Sequence, residues 1–182
     1  LIMSSIDLAI LGIVSEKEQS AYDIQKDVEY YNYTKWTKIS VSSVYKMVLT
    51  LKEKGYLSSR TQKGEKFADK EVYSITEKGR EYFRSLMDKY ATTNIVIPLD
   101  FNLVISNLNK VPYSQAQDYI RKIRERLIIG QKENDECMRR YSEIPLVGKT
   151  IMEQQKVLYQ SLLCWLDEFE KEYGNDRLNN SV

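Results

Sequence analysis

Residues 40–79 read SVSSVYKMVLTLKEKGYLSSRTQKGEKFADKEVYSITEKG. Val44, Met47, Val48 and Leu51 recur at helical spacing, which predicts a helix with one buried stripe, beginning near Ser42 and stopping at Gly55. Glycine has no Cβ and suits a left-handed C-terminal cap. Two short strands, at about residues 56–62 and 71–75, then enclose a charged tip at residues 63–70. The order helix, glycine turn, strand, basic tip, strand is that of a winged helix-turn-helix, in which a helix enters the major groove and a hairpin lies against the backbone.

Charge has to be mapped along the chain, because 27 basic and 26 acidic residues nearly cancel overall. Residues 1–34 hold two Lys against six Asp or Glu, whereas residues 35–70 hold nine basic against three acidic residues. From residue 80 onward the balance is 15 against 15. Affinity for a polyanion depends on phosphate neutralisation, so the middle segment is the expected footprint. The competing reading is a solvated charged face.

The chain contains no histidine, which removes the commonest general base, the usual catalytic triads and most transition-metal sites. Cys-x-x-Cys, Gly-x-Gly-x-x-Gly and Gly-x-x-x-x-Gly-Lys motifs are absent from the sequence as well. The expectation is a protein that is not an enzyme and uses neither cofactor nor metal. The apolar run of residues 6–14 contains Asp7 and Gly12 and is too short to span a bilayer, so it reads as a core helix and no membrane partner is expected. Cys137 and Cys164 fit buried thiols in a reducing cytoplasm, with a redox sensor as the alternative.

Upstream of the quoted stretch, a first helix carries Ile6, Leu8, Ile10, Leu11 and Val14, with Ser4 as its cap. A second covers residues 21–31, with Tyr22, Ile24 and Val28 reaching the core. Tyr30, Tyr31, Tyr33 and Trp36 follow and are expected to pack against the first helix. Downstream, Thr76 caps a helix through Tyr82, Phe83, Leu86 and Met87. A break at residues 91–98 divides residues 1–91, a winged helix-turn-helix domain, from residues 92–182, a helical dimerisation domain. That second domain is expected to hold a helical region at residues 99–108 and two long helices joined by a loop at residues 145–148. Their stripes, Ile120 to Tyr141 and Ile151 to Phe169, exceed what one small core can hide, and a second copy of the chain would supply the partner. The fold expected is mainly α with a small β-hairpin wing.

The run Ser43-Val44-Tyr45, then Leu49, Leu51, Gly55-Tyr56-Leu57 and Tyr73-Ser74-Ile75-Thr76 with Gly79, resembles the PadR family of bacterial transcription regulators. Leu11-Gly12-Ile13-Val14 and Ser20-Ala21-Tyr22-Asp23-Ile24 fit that family's opening helices, although Ala21 stands where glycine is common. The long C-terminal region resembles the subgroup with a multi-helix domain, the virulence activator A type. In family terms Tyr45 corresponds to a recognition-helix tyrosine, Tyr22 to a second-helix tyrosine near the DNA, and Lys70 to the basic residue three before the wing tyrosine, Tyr73. Tyr22 and Tyr73 equally fit packing between wing and helices, with the hydroxyl at the surface.

The function expected is sequence-specific regulation of transcription, by repression, through a cytoplasmic homodimer whose reading heads lie about 34 Å apart on one face of promoter operator DNA. Ser42, Ser43 and Lys46 are the base-edge candidates, and Tyr45 would touch a phosphate or base. Lys38, Lys63, Lys66 and Lys70 are the phosphate candidates. The resemblance also implies response to a small aromatic effector, for which Met138, Tyr159 and Trp165 are candidate pocket residues, while aromatics at helical spacing also read as core. The alternative function is a winged module for protein–protein assembly without DNA, the basic segment then binding an acidic partner.

Overall fold

A computed structural model describes residues 5–63 and 69–179. The chain divides between Ile95 and Val96 into two compact units. The first is built from α1 (Ser5–Glu16), β1 (Gln19–Ser20), α2 (Ala21–Tyr30), the one-turn helix α3 (Tyr33–Trp36), a 3₁₀ turn at Val41–Ser43, α4 (Val44–Glu53), β2 (Leu57–Gln62), β3 (Lys70–Ile75) and α5 (Glu77–Ala91). Ser4, the expected first cap, lies outside the described residues.

Apolar spacing decides which faces meet. Ile10 and Leu11 of α1, Ile24 and Val28 of α2, Val44, Val48 and Leu51 of α4, and Leu86 of α5 are all fully buried in one core. Burying each such side chain contributes roughly 1.5–3 kcal/mol. Tyr22 does not join them: at 63% exposed it is on the outer face of α2, because the buried positions of that helix are Ala21, Ile24 and Val28. The aromatic group after α2 is also less buried than its composition predicts. Tyr33 packs against the core, but Tyr30, Tyr31 and Trp36 form an exposed chain of rings with it, at centroid separations of 5.1–5.6 Å.

The hairpin is antiparallel and its register runs from Leu57 opposite Ile75 to Gln62 opposite Lys70. β1 joins the other edge of β3, so the sheet among the described residues has the order β1-β3-β2. No sequence signal pointed to β1. Two residues are too short for an alternating pattern, and its pairing with Val72 and Tyr73 exists only in the folded chain.

The turn into the hairpin is set by two glycines. Gly55 has φ 75°, its N–H donates to the Lys52 carbonyl, and the Tyr56 N–H donates back to the Leu51 carbonyl, closing the end of α4 as a left-handed cap. Thr76 caps α5 as expected: its Oγ1 accepts from the Gly79 N–H at 3.0 Å and donates to the Gly55 carbonyl at 2.8 Å. Gly79 therefore lies hard against the hairpin, where a Cβ would fall 2.1 Å from the Tyr56 carbonyl oxygen. On the far side of α1, the Tyr82 hydroxyl donates to the buried Asp7 carboxylate at 3.0 Å, tying α5 to α1.

The second unit contains α6 (Asn102–Ile105), a 3₁₀ turn at Leu108–Lys110, α7 (Tyr113–Arg140) and α8 (Leu146–Asn179). The helical region expected at residues 99–108 is thus a single turn followed by a 3₁₀ turn. The loop between the long helices lies before residue 146, with Pro145 ahead of α8 and Gly148 inside it. Cross-contacts show α7 and α8 to be antiparallel: Arg124 reaches Asp167 and Glu170, Tyr159 lies beside Gly130, and the Asn134 amide donates to the Met152 carbonyl at 3.0 Å. Leu108, Ala116, Ile120, Leu127, Leu166 and Tyr173 form the core, and the Tyr173 hydroxyl and Arg177 both donate to the Leu108 carbonyl. Among the described residues no helix is long and apolar enough to cross a membrane.

The close approach at Gly79 makes a sharp contrast with Gly12, whose added Cβ would meet only the Phe83 ring at 3.6 Å. Gly79→Ala should cost about 1–3 kcal/mol through overpacking against backbone. Gly12→Ala should be near neutral or gain up to about 1 kcal/mol from helix propensity. Urea unfolding of both variants measures the difference, and equal midpoints would contradict the packing described.

Candidate nucleic-acid interface

Burial of Val44, Val48 and Leu51 fixes the rotation of α4. The opposite face carries Tyr45 and Lys46, both exposed; the helix begins at Val44 rather than near Ser42, and the 3₁₀ turn ahead of it carries exposed Ser42 and half-buried Ser43. Tyr45 is 57% exposed, and Ser42 shares a 2.7 Å hydroxyl hydrogen bond with Ser40 at the helix entrance. Lys38 is exposed in the segment leading into this turn. Tyr22 is on the exposed side of α2, with the Lys26 ammonium 4.4 Å from its ring centre. Lys63 and Lys70 flank the hairpin tip, both exposed, whereas Lys66 lies outside the described residues.

Tyr73 resolves in favour of packing. It is 2% exposed, belongs to the core, and its hydroxyl donates to Glu71 Oε2 at 2.8 Å, so the winged unit presents almost none of it to a duplex. Burial, and then the Glu71 carboxylate, push its pKa well above the usual phenol value.

Carboxylates outside the residues expected from the sequence organise this surface. Glu71 accepts hydrogen bonds from Lys52 of α4, from the Ser59 hydroxyl at 2.6 Å and from Tyr73, and thereby fastens the wing to α4. The Lys52 contact above all, then Ser59 and Tyr73, bring the Glu71 pKa from its ordinary 4.5 down to about 2. Strand alternation was the available signal, since Glu71 and Tyr73 share a face and Ser59 is paired with Tyr73. Asp23, in the first turn of α2, accepts from the Ser20 hydroxyl at 2.7 Å and from Lys70 at 3.3 Å, and in that order these contacts lower its pKa. Glu18 pairs with Arg60 of β2 at 2.6 Å.

The basic excess of residues 35–70 is therefore partly internal. Lys52, Arg60 and Lys70 face Glu71, Glu18 and Asp23, while Lys38, Lys46 and Lys63 have no carboxylate partner among the described residues.

In the second unit an open cleft of about 450 Å³ is lined by Phe101, Tyr119, Ile123, Leu127 and Tyr159, with Lys122, Arg126 and Glu133 as its charged lining. Of the three expected pocket residues only Tyr159 lines it. Met138 lies further along α7 beside Asn134, and Trp165 stacks on Phe169.

Residues 10–85 match the model of the transcriptional regulator PadR-like family, a match that spans α4 and the whole wing. The winged unit is thus similar to the PadR-like family. This is a family of transcriptional regulators, not of enzymes. No curated protein sequence matches significantly.

Solved PadR-like structures match nearly end to end. Bacillus subtilis PadR in complex with operator DNA is 16% identical with a TM-score of 0.76, covering 91% of this chain and 97% of its own. The Vibrio cholerae virulence activator AphA is 18% identical with a TM-score of 0.72, covering 94% and 99%. B. subtilis PadR in complex with p-coumaric acid is 14% identical with a TM-score of 0.73, covering 92% and 96%. At these identities the likeness establishes a shared fold, including the C-terminal helices.

The Glu71 contacts carry a pH signature. A depressed carboxylate pKa stabilises the fold fully above the ordinary value of 4.5 and loses that contribution as pH falls toward 2. Wild type should exceed Glu71→Gln in stability at pH 7, and the gap should close across that acid window. Urea midpoints at several pH values read it directly; a gap independent of pH would remove Glu71 from the role described.

Proposed function

We propose that this PadR-like chain binds operator DNA sequence-specifically as a homodimer and represses the promoter it occupies. The observation that carries the reading is the outward face of α4 together with the 3₁₀ turn before it, where Tyr45, Lys46 and Ser42 stand clear of the core beside a wing bearing Lys63 and Lys70. Small hydroxyls and one long cation on an exposed helix entrance suit base edges, with Ser43 at the border of that face. Lys38, Lys63 and Lys70 suit phosphates, and Tyr22 is exposed enough to contact the backbone. The B. subtilis relative solved with operator DNA supports the same use of the fold.

Homodimerisation rests on the second unit. Ile128, Ile129, Leu146, Val147 and Val157 of the two long helices are exposed although apolar, more than two helices can cover for each other. Response to a small aromatic effector draws support from the Tyr159 cleft, whose lining brings Phe101, Tyr119 and Tyr159 together with Arg126, and from the relative solved with p-coumaric acid. Adding such a compound to a DNA titration tests it, and undisturbed complexes across a panel of phenolic acids would end that part of the reading.

Two measurements test the rest. Against a duplex selected by the chain from a random pool, Ser42→Ala or Lys46→Ala should lose about 1–3 kcal/mol of preference over random duplex per base contact removed. Lys63→Ala should instead weaken both duplexes alike and lower the salt slope by roughly 0.9 per protomer. Binding of an acidic protein with no duplex preference would favour assembly without DNA.

Sedimentation at micromolar concentration should give twice the 21.4 kDa chain mass. A strict monomer would rule out the dimer.

A further inference from the structure

Two ion pairs join segments far apart in sequence at the edge of the candidate DNA surface. Arg60 Nη2 lies 2.6 Å from Glu18, 42 residues away, and Lys70 Nζ lies 3.3 Å from Asp23, 47 residues away. The sheet makes both possible. β1 is paired with β3, which brings the residues beside Gln19 and Ser20 across from Val72 and Tyr73, and Arg60 of β2 is itself opposite Val72. Glu18 precedes β1 directly, and Asp23 is held in place by Ser20, whose hydroxyl donates to its carboxylate and accepts from its N–H. All four side chains are roughly half exposed, so an incoming phosphate can reach each cation.

A carboxylate and a phosphate oxygen are the same kind of acceptor for an ammonium or guanidinium group. A cation already on a carboxylate gains less from a phosphate and releases fewer DNA counterions when it binds, and nonspecific affinity is built from those releases. Specificity is a difference of affinities and rises when the competing complex is disfavoured.

We propose that Glu18 and Asp23 determine specificity by acting through Arg60 and Lys70: they withhold the two wing cations from random duplex and yield them where base contacts of α4 hold the phosphates in position. The inference rests on the DNA reading above and assigns acidic residues outside the basic segment a part in it.

The test compares wild type, Asp23→Asn, Glu18→Gln and a control, Glu29→Gln, which removes an exposed carboxylate of α2 that has no wing partner. Affinities for the pool-selected duplex and a random duplex are measured between 50 and 200 mM salt. Asp23→Asn and Glu18→Gln should each steepen the salt slope on random duplex by roughly 0.9 per protomer, so their advantage over wild type grows by about threefold per protomer toward low salt. Their preference for the selected duplex should fall, and Lys70→Ala placed in the Asp23→Asn background should cancel its gain. Glu18 lies outside every helix, so Glu18→Gln gives a reading even if loss of the Asp23 carboxylate disturbs the α2 cap. Wild-type binding with slopes unchanged in both variants, or gains equalled by Glu29→Gln, would overturn this inference alone. Failure of wild type to bind any duplex would overturn the DNA reading and this inference with it.

Discussion

The inner face of α4 is the constraint on which the winged unit depends. Val44, Val48 and Leu51 are completely buried against α1, α2 and the sheet, so rotating α4 by even one residue would carry an apolar side chain into water and Lys46 or Tyr45 into the core. Three such side chains are worth several kcal/mol together, comparable with the net stability of a small domain. The helix consequently presents one face only. The cap at Gly55 and the contact of Gly79 with the Tyr56 carbonyl then fix where the hairpin leaves that helix.

Electrostatics acts on this frame in a second, weaker layer. The pairs of Lys52, Arg60 and Lys70 with Glu71, Glu18 and Asp23 are exposed, and isolated surface pairs contribute little to stability. Their importance lies in position. Each joins a wing strand or α4 to another element, and under the proposal those of Arg60 and Lys70 decide whether a cation is available to a phosphate. A surface that must discriminate among duplexes gains from cations that are held back, because a wholly unpaired basic face grips every sequence alike.

The second unit follows a different logic. Its antiparallel helices meet along a seam where Gly130 lets the Tyr159 ring approach α7 closely, and where Arg124 spans Asp167 and Glu170. The seam consumes only part of the apolar surface. What remains on α7, α8 and the Tyr159 cleft is the surface that the proposed second chain and small aromatic ligand would use.

Much of the winged unit was legible in the sequence because its signals are local. Spacing of Val44, Val48 and Leu51 reveals a helix face, Gly55 its end, Thr76 the start of the next helix, and alternation the hairpin; each needs only neighbours within a few residues. The outward placement of Tyr45 and Lys46 follows from the same period. Tertiary structure alone decided β1, the burial of Tyr73, the exposure of Tyr22 and the carboxylate partners of Lys52, Arg60 and Lys70. A charge count along the chain sums residues by sequence position, whereas Coulomb interaction depends on distance, and folding carries Glu18 and Asp23 from an acidic segment onto a basic one. The pocket residues were hidden for a related reason: helical period places Met138, Tyr159 and Trp165 on faces of α7 and α8, but which face opens onto a cleft depends on how the two helices cross.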